Sequence, residues 1–194
     1  MEITSADIKT LRDQTGISVM QCKKALEEAG GDMEKALIIL KKKRSEAAEK
    51  KSDRTLGAGT VGAYMHNTHE VAALVVLSCE TDFVSKNEEF IALAKDIAMH
   101  VAALNPKYIS RDDLDEATLA KAKEVFSEEV KDKPEDMQAK ILEGKINSYF
   151  KEQILLEQDF VKNPDTTIAE LINGGIQKFG ENITVTQISR VSIR

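Results

Sequence analysis

Apolar residues recur at helical spacing over the first 43 positions. Ile8 and Leu11 share a face between a Thr4/Ser5 start and a Thr15-Gly16 stop, and a second helix is expected from Val19 to Ala29. Met33, Ala36, Leu37 and Leu40 mark a third, running from Met33 to about Lys43. The punctuation agrees with this reading. Ser18 and Gln21 have capping-box spacing, in which the serine oxygen accepts an orphan N–H and the glutamine reaches back. Gly30-Gly31 suits the left-handed backbone that closes a helix, and Asp32 is placed to cap the next one. Helices this short are marginal alone, so the three must pack on one another.

Further along, the period changes. Val61, Ala63 and Met65 alternate with Gly62, Tyr64 and His66, and Val71 to Leu77 is almost continuously apolar, which predicts two strands joined near Asn67-Thr68. A third strand is expected over 183–193, where the apolar positions Ile183, Val185 and Ile188 slip in parity and predict a bulge. Helical stripes fill the rest. Phe90, Ala94, Ile97, Val101 and Leu104 form one, ended ahead of Pro106 by the restriction that proline puts on its predecessor. Leu119, Ala122, Val125, Phe126 and Val130 form another. Pro134, at the N1 position, opens a helix with Met137, Ile141, Leu142, Ile146, Tyr149 and Phe150 inward. These two helices, joined at Asp132-Lys133, read as a helical hairpin. Thr167 and Glu170 make a second capping box before Ile168, Leu171, Ile172, Ile176 and Phe179.

The predicted fold class is therefore α+β. An N-terminal three-helix bundle of ubiquitin-associated-like (UBA-like) form covers 1–43, and a charged helix end and linker cover 44–57. A core over 58–194 holds a small three-stranded antiparallel sheet packed against helices, including the helical hairpin. The run 41–54 carries seven basic and three acidic residues. It reads as a solvated helix end passing into a linker, or else as a contact strip for an acidic partner surface.

Charge and chemistry narrow the function. With 33 acidic against 27 basic residues the net charge is −6, the wrong sign for a protein whose main task is holding nucleic acid. Cys22 and Cys79 lie far apart in apolar surroundings and read as two reduced thiols. The longest apolar run is too short to cross a bilayer, and MEITSADIK lacks a leader pattern, so a soluble cytoplasmic protein is expected. Residues 57–62 spell G-x-G-x-x-G, but the dinucleotide fingerprint needs a strand before it and a helix after it. Here a charged helix precedes and a strand follows, so the glycines read as loosening the linker and starting the strand. His66 and His69 flank a turn and read as surface residues, and His100 falls opposite its helix's apolar stripe or at its border. No motif for hydrolysis, phosphoryl transfer or a metal centre is present, so neither enzyme activity nor a cofactor is expected.

One segment stands apart: Cys79-Glu80-Thr81-Asp82-Phe83-Val84-Ser85-Lys86-Asn87. A buried strand ends there, and a carboxylate beside an aromatic sits just before the next helix, a place where rigid elements commonly hold recognition residues. By spacing alone, Asp82 or Ser85 could simply cap that helix, with Phe83 in the core.

These residues carry a resemblance. Leu11-Arg12-Asp13-Gln14-Thr15-Gly16, Cys22-Lys23-Lys24-Ala25-Leu26 and Gly31-Asp32 resemble the N-terminal signature of the translation elongation factor Ts family, and 79–84 resemble its second signature. Ser78 departs from the asparagine common there. The likeness extends through 155–161 and 180–183, and is to the shorter bacterial members with a single core module, which implies a homodimer. It also implies a nucleotide exchange factor, acting by protein–protein binding on elongation factor Tu in its GDP-bound and nucleotide-free states. Arg12, Val19, Met20 and Lys23 match the family's contact positions in the N-terminal bundle. Thr81, Asp82, Phe83 and Val84 match the loop that dislodges the partner's magnesium. Two other classes compete: a generic peptide-binding adaptor, and a small nucleotide-dependent enzyme using the glycine-rich segment.

Overall fold

The computed structural model describes residues 3–132 and 134–193. Helices α1 (Ser5–Thr15), α2 (Val19–Glu28) and α3 (Met33–Glu49) pack around Leu11, Ile17, Cys22, Leu26, Ala36 and Leu40. Gly16 ends α1 and Gly30 and Gly31 follow α2, all three at positive φ, and Asp32 caps α3 through the Lys35 N–H. At α2 only half of the expected box forms. Ser18 Oγ accepts from the Gln21 N–H, but the Gln21 side chain does not return to the Ser18 backbone; its Oε1 takes the serine hydroxyl and a bond from Gln177. The third helix outruns its expected end near Lys43 and continues to Glu49, because the charged run is made of good helix formers.

From there the chain runs through β1 (Ala58–Met65), β2 (Val71–Cys79), a one-turn helix α4 (Asp82–Ser85) and α5 (Glu88–Leu104). Then come α6 (Glu116–Glu129), α7 (Glu135–Lys151), a small hairpin of β3 (Asp159–Phe160) and β4 (Asn163–Thr167), α8 (Ile168–Phe179) and β5 (Ile183–Ser192). The sheet has the order β1-β2-β5 and is antiparallel throughout. Leu77 pairs with Val185 and Val76 with Gln187, so Thr186 is the extra residue of the expected bulge. The β3–β4 hairpin is a further two-stranded unit that the alternation did not reveal, because Asn163, Pro164 and Asp165 carry no strand pattern.

The inner face of the sheet was not legible from alternation. Ala73, Val75, Leu77 and Cys79 point into the core beside Phe90, Ala94, Ile97 and Val101. On β1 it is Gly62 and Tyr64 that face α5, while Val61, Ala63 and Met65 lie outside. The reason is clearance: a Cβ at Gly62 would sit 2.2 Å from the Ala94 carbonyl oxygen of α5, while on the opposite side of the strand one at Gly59 would sit 2.8 Å from the Leu77 carbonyl oxygen of β2. These glycines admit backbone at close range within the strand. Gly57 directly precedes β1, as expected of a strand start, and no helix N-terminus follows the glycines.

Other expectations need correction. His100 is fully buried, not at a border. Its Nδ1 accepts the Val161 N–H at 3.2 Å, which leaves the proton on Nε2 to donate to Gln158 Oε1 at 2.9 Å. Leu104 ends exposed past the core. In the helical hairpin the seam holds Ala122, Phe126, Ile146 and Phe150, while Leu119, Val125, Met137 and Tyr149 stay exposed, since two helices bury only one narrow stripe between them. Pro134 stands at the N-cap of α7, one residue ahead of the expected N1. The expected joint at Lys133 lies outside the described residues.

Polar contacts tie the bundle to α8. Arg44 donates from Nε to Gln177 Oε1 and from Nη2 to the Thr15 carbonyl, both at 3.1 Å, and Gln177 Nε2 donates to Gln21 Oε1 at 3.0 Å. Lys41 pairs with Glu170 at 3.0 Å. Burial pulls the Arg44 guanidinium below its ordinary value against the attraction of Glu170. The charged run is thus in part an internal clamp and not wholly a solvated helix end.

Candidate functional site

Where β2 ends, the chain makes a single helical turn whose two sides have opposite fates. Val84 is buried at 4% exposure and Ser85 lies beside it, whereas Phe83 stands 82% exposed and Asp82 projects into solvent. The plainer reading of the sequence, with Phe83 in the core and Asp82 or Ser85 capping the long helix, is therefore corrected: Asn87 caps α5 and Thr81 caps α4. Leaving a phenylalanine in water forgoes the roughly 1.5–3 kcal/mol that its burial would give.

The turn is held by a dense set of bonds. Glu181 Oε2 accepts the N–H groups of Glu80 and Thr81, each at 3.0 Å, and its Oε1 accepts the Thr81 hydroxyl at 2.5 Å. Glu80 Oε1 in turn accepts the Asn182 N–H at 2.6 Å and a bond from Arg54, and these contacts hold its carboxyl below the ordinary value. The Cys79 thiol donates to the Thr81 carbonyl at 3.2 Å; burial, and then the Glu181 charge, push its pKa up and keep that proton in place. Asp82 pairs with Lys86 at 2.7 Å, which holds its carboxyl below the usual value. Both groups of that pair are exposed, so the pair is weak and open to exchange with a partner's groups.

The bundle presents a second surface. Val19 and Met20, in the first turn of α2, are 52% and 65% exposed, and Lys23 is exposed beside them, 3.8 Å from Glu27. Arg12 is on α1 and lines a cleft of about 720 Å³ between the bundle and α8, together with Arg44, Glu170 and Lys178. Of the eight candidate residues, Thr81, Asp82 and Phe83 are exposed on the turn with Val84 buried behind them, Val19, Met20 and Lys23 are exposed on α2, and Arg12 lines the cleft toward α8. Glu181 escaped the sequence reading because no local spacing connects it to a turn 100 residues away. The outer face of the sheet escaped as well: Val61, Met65, Leu74 and Val191 form an exposed apolar surface. Among the described residues, no helix is long and apolar enough to cross a membrane.

The molecule is a mixed helix-and-sheet protein that holds an acidic–aromatic turn out to solvent at the end of its central strand. A family model described as Elongation factor TS matches residues 43–193. The chain is 45% identical over its whole length to Elongation factor Ts of Thermotoga petrophila and 44% identical to that of Thermodesulfovibrio yellowstonii, covering 97% of each. It is also 44% identical to that of Carboxydothermus hydrogenoformans, covering 98% of this chain and 89% of the relative. The chain belongs to the elongation factor Ts family. Family membership implies a role in nucleotide exchange on elongation factor Tu during protein biosynthesis.

Proposed function

We propose that the protein binds elongation factor Tu carrying GDP and releases the nucleotide by disturbing the partner's magnesium and phosphate site. The single observation that carries this reading is Phe83, 82% exposed at the tip of a turn whose backbone is fixed by Glu181. The N-terminal bundle, UBA-like in its helix pattern, docks through Arg12, Val19, Met20 and Lys23. Exposed apolar side chains beside cations suit a protein interface, with Met20 as anchor. The Thr81-Asp82-Phe83-Val84 turn then enters near the nucleotide: Phe83 wedges, Asp82 perturbs the metal's surroundings, and Thr81 and buried Val84 hold the tip from behind.

Magnesium bridges the nucleotide phosphates and has few protein ligands, so displacing one part of its shell weakens ion and GDP together. No bond is made or broken in this step. Whatever lowers GDP affinity when the factor binds must equally lower the factor's affinity when GDP binds, and GTP entry completes the cycle. A thousandfold acceleration needs about 4 kcal/mol of differential stabilisation at the exit barrier, which an aromatic wedge with a few anchors can supply.

The test mixes fluorescent GDP on elongation factor Tu with the native protein, Phe83→Ala or Asp82→Ala. We expect Phe83→Ala to slow release at least about tenfold and Asp82→Ala less. No acceleration by the native protein rejects the function, and equal rates for all three reject the wedge. An adaptor without exchange activity predicts the former, whereas a nucleotide-dependent enzyme predicts nucleotide binding by the isolated chain. A homodimer is part of the same reading, supported by the apolar outer face of the sheet.

A further inference from the structure

The last rung of the sheet pairs Cys79 with Ile183, and beyond it the N–H groups of Glu80 and Thr81 leave the ladder with no strand to receive them. Exposed, such groups would bond water and let the turn sample many shapes. Instead Gly180, left-handed at φ 77°, ends α8 and swings the chain so that the Glu181 carboxylate meets both N–H groups and the Thr81 hydroxyl. Thr81 Oγ1 then caps α4 through the Val84 N–H, and α4 carries Phe83. One side chain therefore sits at the base of the exposed tip and takes three donors, the third of them the Thr81 hydroxyl.

We propose that Glu181 is the positioning residue of the exchange reaction: its carboxylate fixes the Thr81–Phe83 turn in the wedging shape before the partner arrives, so that no binding energy is lost in ordering it. This rests on the reading that Phe83 is the wedge. Preorganisation of this kind lowers the barrier of the step the tip performs and leaves untouched the docking that α2 performs elsewhere. A carboxylate suits the role because each oxygen holds several acceptor sites, so two amides and a hydroxyl can be met at once. Glutamine retains most of this, its oxygen facing the two N–H groups and its amide donating to Thr81 Oγ1; alanine retains none.

The experiment measures the maximal rate of fluorescent GDP release from elongation factor Tu at saturating full-length protein. It also measures affinity for nucleotide-free elongation factor Tu and the Tm of each variant. Glu181→Ala is expected to cut the maximal rate about tenfold while affinity changes less than about threefold, and Glu181→Gln to stay within about threefold of native. In a double-mutant cycle run in an Asp82→Ala background, Glu181→Ala should add nothing to Phe83→Ala, because Phe83 is then the one acting side chain that the turn still carries. A native rate for Phe83→Ala would sink the wedge reading itself. A slow Phe83→Ala with a native rate for Glu181→Ala would overturn this inference alone, as would additive losses in the cycle. Should Glu181→Ala lower Tm enough to obscure its rate, Thr81→Val replaces it in the cycle, with the same non-additivity expected.

Discussion

Three residues show how a single side chain, or its absence, fixes the design. Gly62 is where α5 lies directly on β1, and a methyl there would overlap the Ala94 carbonyl carbon and oxygen at 2.3 and 2.2 Å. Backbone cannot yield as a flexible side chain can, so Gly62→Ala should destabilise the fold by about 3 kcal/mol, read by chemical denaturation. His100 is held neutral, because burial lowers its pKa from the ordinary 6.5 and outweighs the opposing bond to Gln158. A depressed histidine gives stability that is present above its unfolded value and lost as pH falls toward the folded one, where the unfolded chain binds the extra proton. Lowering pH from about 7 to 5 should therefore cost the native protein more Tm than it costs His100→Gln. Phe83 is the opposite case, an apolar group that the fold holds out in water.

At the level of elements, caps and stops were the most legible features. The Thr167–Glu170 box forms in full, Asn105 ends α5 ahead of Pro106, and the β5 bulge falls where the parity slips. These are local rules, satisfied within a few residues. Faces were less legible, because periodicity groups residues onto a side without saying what covers it. β1 shows this: alternation set Val61, Ala63 and Met65 together, yet the helix covers the glycine side. The apolar side pairs across the sheet, Ala63 with Leu74 and Met65 with Ala72, and Ala72 with Val191 on β5. If a second copy covers that face, Leu74→Asp should weaken self-association about a hundredfold by sedimentation, because a desolvated carboxylate would sit at its centre. Exchange by a bundle-and-turn mechanism should suffer less than association does.

Across the whole molecule, α8 connects what the function needs. Its Gln177 grips the bundle through Arg44 and Gln21, and the turn at its end grips both the Glu80–Thr81 segment, through Glu181, and the 52–54 segment, where Asn182 donates to the Ser52 and Arg54 carbonyls at 3.1 Å. At the bundle end α3 meets α8 through the Arg44–Gln177 bond and the Lys41–Glu170 pair, while Ala48 packs on the main core. Arg44→Ala removes the bond to Gln177, and with it the bond to the Thr15 carbonyl inside the bundle, and should cost about 1–3 kcal/mol locally. Hydrogen exchange should quicken around 11–21 and 172–180, while the β2–β5 amides keep their protection.

The chain by itself determined the caps of α3 and α8, the end of α5, the three main strands, the β5 bulge and the acidic–aromatic segment that carries the family resemblance, since each follows from residues within a turn or two of one another. Tertiary structure alone decided that Phe83 faces water, that His100 is sealed, that glycine forms the inner face of β1, and that Glu181 cradles a turn 100 residues away. The physical reason is common to all four. Burial and long-range hydrogen bonds depend on which backbone arrives from elsewhere in the chain, and neither spacing nor propensity encodes that arrival.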